Sequence, residues 1–154
     1  MKLIILVFVT AFFFGCNNSN TPQNKEVVKE HDEDQTEKVI TTEPLVLNKG
    51  VKWNADSITS NNVKNLLSVA ETFYSAPDKS LASYKNAAAD LQKGLDKMIS
   101  ECKMQGPDHE ALHKWLRPLI GQVAELKKAS TEDNAAKLMA AIGAQLNLYD
   151  QYFK

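Results

Sequence analysis

The chain has 154 residues, of which 44% are hydrophobic, and a formal net charge of -1, which suits one small globular domain with extra segments. With 18 Lys and Arg against 19 Asp and Glu there is no basic excess to release counterions from a phosphate backbone. No nucleic-acid partner is expected.

The opening stretch, MKLIILVFVTAFFFGC, carries one lysine at position 2, a charge-free apolar run from Leu3 to Phe14, then Gly15 and Cys16. This is the layout of a secretion signal, and the run is too short to span a bilayer. With a small residue directly before the cysteine, the segment resembles a bacterial lipoprotein signal. That resemblance implies cleavage before Cys16, lipidation of Cys16 and anchoring to a membrane of the bacterial cell envelope. Asn17 in place of aspartate after the lipid site favours the outer membrane, facing the periplasm; an ordinary cleaved signal peptide is the alternative. Residues 1–15 are thus read as the signal and residues 16–44 as a disordered linker. The linker is polar, charged and nearly free of aromatics, so it lacks the apolar surface to offset its ordering entropy. His31, beside Asp32, Glu33 and Asp34, belongs to a solvated charge run.

From Leu45 the pattern becomes that of a folded domain, residues 45–154. Asn48-Lys49-Gly50 is a turn signal between short apolar pieces, which suggests a brief hairpin. Helical periodicity follows. Val63, Leu66, Ala70 and Phe73, widened by Leu67 and Tyr74, form a first stripe that Pro77 stops. Asp78 can cap a second helix whose stripe is Leu81, Tyr84, Ala88, Leu91, Leu95, Met98 and Cys102. Gly106-Pro107 ends it and opens a third, with His109, Leu112, Leu116, Leu119, Val123 and Leu126 on its apolar side and a kink or early break expected at Pro118. Ser130 or Thr131 caps a fourth helix bearing Leu138 or Met139, Ile142, Leu146, Tyr149 and Phe153. Four amphipathic helices with short connections predict an all-α fold, an antiparallel up-and-down four-helix bundle. That topology would gather Cys102, Met104, His109 and His113 at one pole with Trp53, Tyr149, Tyr152 and Phe153.

Those four residues pose the functional question. Cys102 and His109 continue core stripes on either side of a tight turn, so both should fall in the terminal core layer, with His113 one turn further along the same side. Met104 lies two residues past Cys102 and joins them only if the chain unwinds towards Gly106; Met98, one turn before Cys102, is a substitute. Thiolate, thioether and imidazole together are the soft and borderline donors that select copper, with zinc as the alternative through Cys and two His. If Cys16 is lipidated, Cys102 is the remaining thiol and has no disulfide partner within the chain.

The segment CKMQGPDHEALHKWLRPL, Cys102 to Leu119, resembles the pattern C-x-M-x-G-x-x-H-x-x-L-H-x-x-L-x-P of small, uncharacterised bacterial envelope lipoproteins. The likeness extends over about the last 110 residues, LNKGVKW from Leu47 included. It implies a helical lipoprotein domain in which Cys102, Met104, His109 and His113 act as a unit, and it carries no known activity.

HEALH, His109 to His113, also fits the H-E-x-x-H motif of zinc proteases. No further histidine follows it, Glu125 is the one nearby acid and lies too soon, and no sheet is in view to edge a substrate cleft. The match is therefore read as coincidence and the protein as a non-enzyme. A di-iron centre needs two Glu-x-x-His motifs, and only Glu110-x-x-His113 is present. Noncovalent heme on a His and a Met would be crowded into one hairpin, and C-x-x-C-H is absent. The reading is thus a lipid-anchored envelope protein that binds copper for buffering, relay or sensing. The competing reading is a metal-free adaptor whose bundle surface contacts an envelope protein partner.

Overall fold

The structure, a computed structural model, describes residues 44–154, all within the compact unit Ile40–Lys154. The expected signal sequence, the lipid site Cys16 and the linker up to residue 43 lie outside the described residues. Four long helices, α1 (Ser57–Ser75), α2 (Leu81–Glu101), α3 (Gly106–Lys128) and α4 (Glu132–Asn147), are followed by a single turn, α5 (Tyr149–Tyr152). α1 packs on α2, α2 on α3 and α3 on α4, and α4 also touches α1 and α2. This is the all-α four-helix bundle that the stripes predict.

α1, α2 and α4 each start where a short polar side chain takes an orphan backbone N–H. Asp56 caps α1 by accepting from the Thr59 amide at 2.6 Å. Thr131 caps α4, with Glu132 and Asp133 in the first turn against the positive end of the helix dipole. At α2 the cap is Ser80, whose hydroxyl accepts from the Ser83 amide, and not Asp78 as the sequence suggested. Asp78 acts one step earlier: its carboxylate accepts from the Ser80 amide and hydroxyl and so fixes the capping residue. α1 ends before Pro77, and the Lys79 ammonium donates to the carbonyls of Phe73 and Ala76 at the helix end.

Two further elements depart from expectation. α3 runs unbroken through Pro118, which sits on the exposed side. Trp115, Leu116 and Leu119 are buried on either side of it, and their packing outweighs a cost of about 3 kcal/mol for an interior proline. The fourth helix stops at Asn147, although Leu146, Tyr149 and Phe153 keep a helical spacing. Phe153 turns extended and pairs in parallel with Trp53 instead. The Trp53 amide donates to the Tyr152 carbonyl at 2.8 Å, the Lys154 amide to the Trp53 carbonyl at 3.0 Å and the Ala55 amide to the Lys154 carbonyl at 3.0 Å.

This clasp brings the chain entering the domain against the C-terminal residues. Upstream of it, Asn48 and Val51 exchange both backbone hydrogen bonds around Lys49 and Gly50. Both turn residues have positive φ, the two-residue hairpin geometry that a glycine at the second position favours. No helix among the described residues is long and apolar enough to cross a membrane.

The antiparallel order also puts the expected groups at one pole. Asn62 near the start of α1 donates to Glu101 at the end of α2 at 2.9 Å, and Ser60 shares a hydrogen bond with the Tyr149 hydroxyl. Asp108 in the first turn of α3 accepts from the Asn54 amide at 3.0 Å. At the opposite pole the Glu132 carboxylate accepts from the Leu81 amide.

Candidate metal centre

Between α2 and α3 the chain runs extended from Cys102 to Gln105 and turns into the next helix at Gly106, whose φ of 69° is the left-handed region glycine adopts without strain. Pro107 then occupies the first turn of α3, where its missing N–H costs nothing. Cys102 ends α2, its amide donating to the Met98 carbonyl at 3.1 Å. The connection is short, so Cys102 and His109 face each other across it. Cys102 Sγ lies 3.6 Å from His109 Nδ1.

That separation suits either of two states. It is the length of a sulfur–imidazole hydrogen bond. It also matches one shared ion: with a metal–sulfur bond of about 2.3 Å and a metal–nitrogen bond of about 2.0–2.1 Å, a tetrahedral angle puts the two donors about 3.6 Å apart. The His113 ring lies one turn along α3, its centroid 4.2 Å from that of His109 and its plane tilted by 52°. Cys102, His109 and His113 line a single cleft of about 250 Å³ with Met98, walled by Leu112 and Leu116. All three titratable donors are partly exposed at its mouth, whereas Met98 is 1% exposed.

The four residues singled out in the sequence are thus not all brought together. Met104 packs half-buried against the hydrophobic core and does not line the cleft. Among the described residues no three or more His, Cys, Asp or Glu side chains are grouped so that they could hold a metal ion as they stand. The Cys102–His109 pair is close, and the His113 ring lies tilted beside His109.

Glu110, the acid of the H-E-x-x-H match, faces elsewhere. It lines a second, apolar cleft of about 440 Å³ with Leu45, Val46, Trp53, Pro107 and Lys114, which neither histidine lines.

The start of α1 is capped by a residue that the stripes could not reveal. Asp56 accepts from the Thr59 amide, which holds its carboxyl below the ordinary value of 3.8, and the Lys103 amide adds to the same effect. Asp56→Ala is expected to cost about 1 kcal/mol at neutral pH, the usual worth of an N-cap. The folded carboxyl binds its proton more weakly than the unfolded one. Its contribution is therefore whole above pH 3.8 and is lost as the pH falls through the lower folded value. Urea unfolding of both proteins at a series of pH values should show the gap between them narrowing in acid; a constant gap would locate the effect in something other than the carboxylate charge.

No family model, no curated protein and no solved structure matches the chain. Its class is therefore set by its own geometry: a four-helix bundle with a soft-donor cleft at the α2–α3 turn.

Proposed function

We propose that this is a lipid-anchored protein of the bacterial envelope that binds a transition-metal ion, copper first and zinc second, for buffering, relay or sensing. Anchoring rests on the signal-like N-terminus and Cys16; metal binding rests on the cleft. The observation that carries the reading is the pairing of Cys102 Sγ with His109 Nδ1 at 3.6 Å, with His113 against His109 in the same opening. A thiol and an imidazole at this distance can share an ion with little movement of the backbone. Of the four donors suggested by the sequence, Met104 is the one this arrangement supports least.

A second reading has its own support. The apolar cleft beside Trp53 adjoins Val46, Leu47 and Val51, which are exposed on the hairpin, a surface suited to a protein partner without any metal. The two readings part in one experiment, a Cu(I) competition titration of the full chain beside Cys102→Ser and His109→Ala. One-to-one binding is expected, with each substitution weakening it by more than about tenfold, or about 1.4 kcal/mol. Binding indifferent to both changes would remove the metal reading and leave the apolar surface as the working part.

A further inference from the structure

We infer that Met98 supplies the thioether ligand of this site, and that it makes the site selective for Cu(I) over Zn(II). The inference rests on the metal-binding reading above and adds to it a residue, an oxidation state and a rejected competitor. Met98 and Cys102 are one helical turn apart, joined by the hydrogen bond from the Cys102 amide to the Met98 carbonyl, so their side chains leave α2 on the same side. Both line the cleft that His109 and His113 enter from α3, and Met98, almost fully buried, is at its floor. Met104 is the closer methionine to the histidines in sequence and yet is outside the cleft.

The chemistry follows from the depth of each donor. An ion held by Cys102 and His109 at the mouth has a thioether beneath it and the apolar side chains of Leu112 and Leu116 around it. A neutral, polarisable sulfur is a good donor to Cu(I) and adds little for zinc, whose protein ligands are thiolate, imidazole and carboxylate. The apolar wall works in the same direction. It excludes the waters that a doubly charged ion would retain, and such a shell biases a site towards the ion of lower charge. On binding, the Cys102 thiol releases its proton to solvent and no electron is transferred, because copper enters as Cu(I).

The test uses the full chain and three proteins: wild type, Met98→Leu and Met104→Leu. Methionine to leucine nearly conserves volume, so the core should tolerate either change. Met98→Leu should weaken Cu(I) binding by about tenfold or more in competition with a chromogenic chelator, leave Zn(II) affinity unchanged, and be distinguishable in this from Met104→Leu, which should match wild type for both ions. X-ray absorption of selenomethionine-labelled, otherwise wild-type protein loaded with Cu(I) gives an independent readout that does not depend on how a variant folds. A selenium neighbour in the first copper shell is expected, and its absence overturns the assignment. Loss of Cu(I) binding on Met104→Leu but not Met98→Leu would also overturn it, as would equal Cu(I) affinity in all three proteins. Those results leave the parent reading standing as long as Cys102→Ser still abolishes binding; if Cys102→Ser binds Cu(I) as wild type does, both fail together.

Discussion

Replacing Trp115 with alanine is expected to destabilise the fold by about 3–5 kcal/mol. The side chain is fully buried in the middle of α3, with its ring edge-on to Tyr149 at 5.2 Å. It is also half of a reciprocal pair. Trp115 Nε1 donates to the Gln145 carbonyl at 2.9 Å, and the Gln145 side chain donates back to the Trp115 carbonyl at 2.7 Å, so two hydrogen bonds link α3 to α4. Truncation removes the packing of a large ring, leaves a cavity among side chains that can close it only in part, and takes one hydrogen bond from the Gln145 carbonyl, which keeps the Leu148 amide. Trp115→Phe separates these contributions. It keeps most of the ring and loses the indole donor, so a smaller cost of about 1 kcal/mol is expected from the lost hydrogen bond, the Gln145 carbonyl keeping the Leu148 amide. Urea midpoints at constant slope would measure both. A cost below about 1 kcal/mol for the alanine variant would mean that the α3–α4 seam is held by other contacts.

Trp115 also shows where the sequence could and could not be read. The spacing of His109, Leu112, Leu116 and Leu119 marks one stripe on α3, and that stripe is buried from Leu112 onward. The helix packs on α2 with one flank and on α4 with the other, so its buried face widens to include Ala111 and Trp115. A single stripe cannot report a second neighbour. The extended turn at Phe153 was illegible for a related reason. Tyr149 and Phe153 continue the periodicity of α4, yet Phe153 leaves the helical conformation and pairs with Trp53, about a hundred residues away in sequence. Local pattern carries no information about a partner so remote.

The site was legible in part. A tight turn between two core stripes is enough to place Cys102 opposite His109, and the structure puts them 3.6 Å apart. The same periodicity gave Met98 its place below Cys102. The short spacing of Cys, Met and His also points to Met104, but that side chain packs half-buried against the core and does not line the cleft, a choice of burial that spacing alone does not record. Asp56 and Asp108 are invisible to the stripes because their roles lie in fixing backbone amides, which a hydropathy pattern does not record.

Phe153→Ala should be nearly as costly as the loss of Trp115, about 3–5 kcal/mol, despite lying next to the last residue of the chain. Phe153 is 2% exposed and stacks on Tyr149 with centroids 4.9 Å apart and planes 14° from parallel. Its burial also holds the backbone of the clasp in register, so the three hydrogen bonds joining Trp53 and Ala55 to Tyr152 and Lys154 depend on it. Terminal residues usually fray because nothing ties them down; here the apolar ring is the tie. Native-state hydrogen exchange should therefore show early loss of protection at the Trp53, Ala55 and Lys154 amides in the variant, ahead of amides in the middle of α2 and α3. The consequence reaches the candidate site, since Asn54, inside the clasp, donates to Asp108 in the first turn of α3, one residue before His109. If exchange at the clasp amides is unchanged while global stability falls, Phe153 contributes through packing alone and the clasp holds by its own hydrogen bonds. If clasp protection collapses and metal affinity drops with it, the entering strand is part of what keeps His109 aimed at Cys102.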